Sequence, residues 1–396
     1  MTYFLGVLAV VLITFLANKI GRFFGISAPF RFLSFFKLHY LAYGIILAFF
    51  FPDNFKILFE KITGTVFMFS LTWIGFYYGC SLEFRAHQRY SPKTLLFHMI
   101  EPVIIFLFTI LAGTLYIYIK FNEIRHFDIV FILAVFCSLT LFKRHENPYH
   151  KGDYTLNPIL RDLVPVRNIF AVTALSFAGS FFYGVDELSL FGNLFTGTFI
   201  FFMFHVIVGM SAGFLVSMLI KGSQTTESIP TIVIGVTALT GGIAYTFSLS
   251  PLFIGMVSGA FLINSTLKRL RTIEAVYSSH EHIEKIFMFF LGALLTPLIQ
   301  SETFSPGLVL LSACGIFILR SSLKYILAYL WISPSKANAG EIILPWTGLT
   351  SQGIVAAGAA LECGIQNPHV STVFLIMIVL MVLNESVTGI YILKNR

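Results

Sequence analysis

Residues 342–363 read IILPWTGLTSQGIVAAGAALEC. Their number suits one crossing of a bilayer, which takes about 20 mostly apolar residues. Their centre does not suit a plain helix. Pro345, Gly348, Thr350, Ser351, Gln352 and Gly353 crowd into one short stretch. Proline removes a backbone donor and clashes with the preceding turn, and glycine loosens what remains. A span broken there leaves N–H and C=O groups free at membrane depth. Such groups are tolerated only where they are buried in protein or line a cavity. The stretch therefore predicts a discontinuous helix beside a solute pathway.

A second segment behaves in the same way. The crossing at 127–142 is short, stops at Lys143-Arg144, and carries Ser138 and Thr140 near its inner end. The two segments lie seven spans apart. An odd offset inverts orientation, so the halves read as inverted repeats. Broken spans at corresponding positions of two halves mark a binding site in secondary transporters. The plainer alternative is that Gly and Pro are simply frequent in membrane helices.

The composition supports the membrane reading. Of 396 residues, 57% are hydrophobic, 11% are charged and 45 are Phe. Soluble domains run at about 45–50% apolar and about 25% charged. A water-soluble globular enzyme and a disordered chain are both excluded. Long continuous apolar runs, rather than short alternating strands, argue against a barrel. The expected fold is an all-α polytopic membrane protein with about 13 spans, at roughly 2–20, 30–51, 61–80, 95–119, 127–142, 156–182, 190–220, 229–247, 249–265, 282–299, 306–332, 342–363 and 370–392. The first run lacks a basic leader and a small-residue cleavage site, so it reads as a retained span.

Basic residues set the orientation. With the N-terminus outside and the C-terminus cytoplasmic, 19 of the 26 Lys and Arg residues fall in inner segments and four in outer loops. That asymmetry follows the positive-inside rule. It also accounts for the net charge of +7 without nucleic-acid binding. The four cysteines, Cys80, Cys137, Cys314 and Cys363, sit in or beside apolar segments. No paired Cys/His spacing suggests a disulfide framework or a zinc site. No metal, no cofactor, no catalytic residue set and no soluble regulatory domain is expected.

The remaining three basic residues, Arg167, Arg320 and Lys324, lie within spans. Charges inside a bilayer are costly and default to a functional reading. Arg320 is central in its span, too far from either end to reach water. Lys324 is one turn away on the same face, and a snorkelling role is equally open to it. Arg167-Asn168 precedes an apolar stretch too short to cross alone, so the pair belongs to the inner half of the membrane or its interface. His205 sits midway along its span, as a proton relay or, more simply, as a satisfied helix contact. Glu101 and Glu385 are the main intramembrane carboxylates and candidate partners of the buried cations. The run from Glu281 to Lys285 reads as a solvated helix start.

Four stretches carry a resemblance. They are Gly75–Arg85 (GFYYGCSLEFR), Ser250–Ala260 (SPLFIGMVSGA), Ile283–Pro297 and Leu349–Ala360, the last with Ser351-Gln352-Gly353 at its turning point. In this order they resemble the monovalent cation:proton antiporter superfamily, which includes the sodium/hydrogen exchangers and Kef-type proteins. The similarity runs over nearly the whole chain. It implies a homodimeric transporter in the bilayer, in a bacterial inner (cell) membrane, that exchanges a monovalent ion or small solute for protons. It further implies one transmembrane transporter domain over residues 1–396. Its core spans would be about 95–182 and 306–392, its dimerisation scaffold about 1–80 and 229–299, and its linker helix about 190–220. Two broken helices would cross in the core, which would slide like an elevator against the scaffold.

One departure bears on mechanism. The resemblance implies an Asp-Asp or Asn-Asp pair where this chain has Arg167-Asn168, while the basic residue of the following core helix falls on Arg320. Asn168 can offer a carbonyl oxygen but carries no proton, and Arg167 does not titrate. At an effective dielectric of about 20, two like charges about 5 Å apart repel by roughly 3 kcal/mol. A free cation beside Arg167 and Arg320 therefore needs a compensating carboxylate. Three readings follow. The first is a solute:proton antiporter with altered coupling, using Ser138, Thr140, Thr350, Ser351 and Gln352 with help from Glu101, Glu385 or His205. The second is a carrier of chloride or a small carboxylate, favoured by Arg side chains and free N–H groups. The third is a non-transporting sensor or scaffold in which Arg167 is a tethered cation, reaching Asn168, Thr140 or the broken-helix backbone.

Overall fold

The computed structural model describes residues 37–49, 53–84, 92–121, 127–140, 158–183, 194–222, 228–266, 269–299, 306–331, 352–366 and 371–394. Among these the regular secondary structure is all α-helix. The helices are α1 (Leu38–Phe49), α2 (Asp53–Cys80), α3 (Pro92–Phe121), α4 (Phe127–Ser138), α5 (Pro158–Tyr183) and α6 (Leu194–Gly222). They continue with α7 (Ser228–Thr246), α8 (Pro251–Ser265), α9 (Arg269–Ile299), α10 (Pro306–Trp331), α11 (Gly353–Gln366) and α12 (Ser371–Lys394). They follow, in order, the second to thirteenth expected spans. The first span and the leading half of the twelfth, with Thr350 and Ser351, lie outside the described residues.

By length and composition, stretches of α3, α6, α7 and α10 are each long and apolar enough to cross a membrane. α1, α4, α8 and stretches of α11 and α12 are apolar but shorter. α9 corrects the sequence reading. It begins at Arg269, well before residue 282, so Glu281 lies inside a helix and not at its start. The polar extension is held by charge pairs. Glu281 accepts from Lys285 one turn on, at 2.6 Å, and from Lys37 at the head of α1, at 2.8 Å. Partial burial pushes the Glu281 carboxyl up, but the two lysines outweigh it and hold the group at about 2.

Among the described residues, α2 and α8 pack most extensively on one another. Gly75 and Gly79 of α2 meet Gly255 and Gly259 of α8. A Cβ on either α2 glycine would strike the carbonyls of Leu252 or Met256, and one on either α8 glycine those of Thr72 or Phe76. Membrane helices gain no hydrophobic drive from lipid, so small residues that admit close backbone packing hold them together. Gly44 of α1 and Gly292 of α9 build a second such contact. α1, α2, α6, α7, α8 and α9 pack mainly on one another, and so do α3, α4, α5, α10, α11 and α12. The sets meet where α5, α11 and α12 touch α2, α6, α8 and α9.

Candidate functional site

The centre of the second helix set is polar and closed to solvent. α4 ends at Ser138, and Leu139 and Thr140 continue unwound. The end of a helix leaves backbone carbonyls unpaired and carries the negative pole of its dipole. Here side chains of α5, of α10 and of Gln352, just before α11, fill that need. Arg320 of α10 donates from Nε to the Cys137 carbonyl and from Nη2 to that of Leu139, both at 2.8 Å. Gln352 donates from Nε2 to the Phe136 carbonyl at 2.8 Å. Asn168 of α5 brackets Thr140: its Oδ1 accepts the Thr140 N–H at 2.9 Å and its Nδ2 donates to the Thr140 carbonyl at 2.6 Å. Lys324, wholly buried, donates to the Thr140 hydroxyl at 3.0 Å and does not snorkel. Ser138 turns back to the Val135 carbonyl.

α11 presents the opposite pole. Its first turn starts at Gly353, whose φ of 60° is a left-handed conformation that glycine adopts without strain. Glu385 of α12 accepts the N–H groups of Gln352 at 2.7 Å and Gly353 at 2.5 Å. Negative charge at a helix N-terminus is favourable for the same reason that cations suit the other end. Asn384 joins the two poles. Its Oδ1 accepts from Arg320 Nη1 at 2.9 Å, and its Nδ2 donates to Gln352 Oε1 at 2.8 Å. The C-terminal end of α4 and the N-terminal end of α11 are thus brought together and neutralised by the protein's own side chains.

Arg167 turns elsewhere. It forms a buried ion pair with Glu101 of α3. Its guanidinium donates no hydrogen bond to Asn168 or Thr140, contrary to the tethered-cation expectation. Successive residues on a helix point about 100° apart, so Arg167 and Asn168 cannot both face the end of α4. His205 stands outside the cluster. Its Nδ1 lies 2.8 Å from the Phe201 carbonyl and its Nε2 accepts the Ser250 N–H at 2.9 Å. Among the described residues, no group of three or more His, Cys, Asp or Glu could hold a metal ion.

The structure adds three residues that sequence reading passed over. Asn384 precedes Glu385 in an apolar span, and that polar pair was a visible signal. Tyr78, whose hydroxyl accepts from Asn168 at 2.9 Å and lies 3.4 Å from the Thr140 carbonyl, comes from α2 in the other helix set. His98, one turn before Glu101, is buried and lies within electrostatic reach of Arg167.

No protein-family profile and no curated protein matches the chain. Among solved structures it is similar to the sodium proton antiporter MjNhaP1 of Methanocaldococcus jannaschii, with a TM-score of 0.64 at 15% identity, over 98% of this chain and 100% of that one. At that identity the likeness is one of fold. The chain has the fold of a sodium proton antiporter.

Proposed function

We propose that this protein is a secondary active transporter, not an enzyme, that exchanges a monovalent ion or small solute for protons across a membrane. The observation that carries the proposal is the buried meeting of the α4 and α11 ends, clasped by Asn168, Arg320, Gln352, Asn384 and Glu385. Polar helix ends at membrane depth are tolerated only where they are buried in protein or line a cavity, and this chain gathers two of them at one buried point. In our reading α3, α4, α5, α10, α11 and α12 form a mobile core, and α1, α2 and α7–α9 a scaffold through which two copies dimerise. α6 links the two, and transport proceeds by sliding of the core.

Coupling differs from a two-carboxylate exchange. Both central carboxylates are engaged, Glu101 by Arg167 and Glu385 by backbone N–H groups. An incoming cation has to compete with Arg167 for Glu101. A second reading, anion transport, is favoured by one observation: two buried cationic side chains, Arg320 and Lys324, converge on the end of α4 at Leu139 and Thr140.

Flux assays on the purified protein in proteoliposomes test the two readings, with separate Na⁺, K⁺, Cl⁻ and internal-pH readouts. Antiport predicts proton movement driven by a Na⁺ or K⁺ gradient, weakened at least tenfold by Glu101→Gln. Anion transport predicts Cl⁻ flux that Arg167→Ala abolishes. No flux of any of these ions, in wild type or variants, would overturn the transporter proposal.

A further inference from the structure

Tyr78 brings one oxygen from the first helix set into the buried centre of the second. Its hydroxyl accepts an N–H from Asn168 Nδ2 at 2.9 Å and turns its own proton towards the Thr140 carbonyl, 3.4 Å away. The first contact has ordinary hydrogen-bond length and the second is stretched. The Thr140 N–H on Oδ1 fixes which end of the Asn168 amide is the oxygen. Nδ2 therefore gives one N–H to Tyr78 and the other to the Thr140 carbonyl. An amide group carries only two. With Tyr78 seated, Asn168 has no donor left for a solute, and the Thr140 carbonyl has a hydroxyl over it.

Tyr78 is not free to follow those partners if they move. Its own helix is pinned to α8 on both sides of it. Gly75 and Gly79 lie so close to α8 that an added Cβ would strike the carbonyls of Leu252 and Met256. Just beyond α2, Asn264 in the last turn of α8 donates to the Leu82 carbonyl at 2.9 Å and accepts the Phe84 N–H at 3.1 Å. Asn168 and Thr140 are held to each other by two hydrogen bonds, and Thr140 to Lys324 by a third. Those three residues belong to one helix set and travel as one piece, while Tyr78 stays with α8. A displacement between the sets therefore breaks the two contacts of the Tyr78 hydroxyl and leaves the Asn168–Thr140 pair intact.

We propose that Tyr78 is a gate carried by the scaffold: its hydroxyl shuts the Asn168–Thr140 end of the central site, and its withdrawal frees one amide N–H and one carbonyl for a solute or the solute's bound water. The inference rests on the sliding motion proposed above. Tyr78 acts through Asn168 and Thr140, as a positioning residue. The group that replaces it meets a donor and an acceptor side by side. A water or hydroxyl oxygen, which both accepts and donates, fits that place better than a bare ion of either sign. The ion therefore reaches this end of the site with a water still attached.

Tyr78→Phe removes the hydroxyl and keeps the ring. Amide hydrogen exchange of the full-length protein in liposomes reads the contact without any gradient. Exchange at Thr140 should quicken by about two- to tenfold, the range that one net hydrogen bond supports, while the amides of Gly75–Gly79 and Gly255–Gly259 keep their wild-type rates. In the flux assay, with Na⁺, K⁺ and Cl⁻ as probes, Tyr78→Phe should lower the KM of the ion that wild type moves by the same factor and change kcat by less than about twofold. A site that is open in a larger fraction of molecules binds more tightly in proportion, whereas general damage raises KM. Unchanged exchange at Thr140, or exchange quickened equally along α2 and α8, would overturn the gate. So would flux with a KM equal to that of wild type or above it, and either result leaves the transporter proposal standing. Flux of none of the three ions in wild type, with Thr140 exchange quickened by Tyr78→Phe, would overturn the transporter proposal and with it the gate.

Discussion

Replacing Arg167 with Met should destabilise the protein by about 3–5 kcal/mol, the usual cost of removing one partner of a buried ion pair. The structure supplies the reason. Arg167 and Glu101 are 1% and 2% exposed, so neither can turn to water. Without Arg167, Glu101 is left as a lone buried charge. Its escape is to take a proton, which at pH 7 costs an ordinary carboxyl about 3.7 kcal/mol. The sign of the pH dependence follows. The folded variant then holds one proton more than its unfolded chain, so its penalty should shrink by about 1.4 kcal/mol for each pH unit towards acid. Glu101→Leu should cost a similar amount, because it strands the guanidinium. The double variant Arg167→Met/Glu101→Leu should fall within about 1 kcal/mol of wild type, since apolar replacement of a whole buried pair is often neutral. The coupling energy is then several kcal/mol, far above the 0–1 kcal/mol or so of exposed pairs. Steric-trap unfolding in bicelles measures all four members of the cycle. If the single variants each cost less than about 1 kcal/mol and their effects add, the pair is not buried and the placement of Arg167 is wrong.

Three further outcomes are expected. Arg320→Met strands three acceptors, the Cys137 and Leu139 carbonyls and Asn384 Oδ1, at about 1–3 kcal/mol each, so it should lower stability by at least about 3 kcal/mol and loosen α4 in hydrogen exchange; unchanged protection of α4 would contradict it. Gly259→Leu should separate α8 from α2, because even its Cβ meets the Phe76 carbonyl, and a thermal midpoint within a degree of wild type would show that the helices are not that close. Glu281 is held well below its unfolded value, so its ion pairs stabilise the fold fully above about 4.5 and the contribution fades as pH falls towards about 2. Glu281 is a third exposed, so the effect should be small and vanish in high salt; an acid transition identical in Glu281→Gln would rule it out.

Much of the architecture was present in one-dimensional pattern. Apolar runs of bilayer length placed the second to thirteenth spans, because each membrane helix satisfies its own backbone and needs no partner to be recognised. The start of α11 at Gly353 fits the glycine there, while the stretch from Pro345 to Ser351 lies outside the described residues. Charge at membrane depth singled out Arg167, Arg320, Lys324, Glu101 and Glu385, because each is costly there unless something holds it. Partnership was not legible. Arg167 and Asn168 are neighbours in sequence yet serve different sites, because helical rotation sends one to Glu101 and the other to Thr140. Tyr78 and Asn384 reach the centre from distant spans. A hydrogen bond depends on angle and a few tenths of an ångström. Hydropathy fixes only which segment is in the membrane, and tertiary packing decides which face of it meets which neighbour.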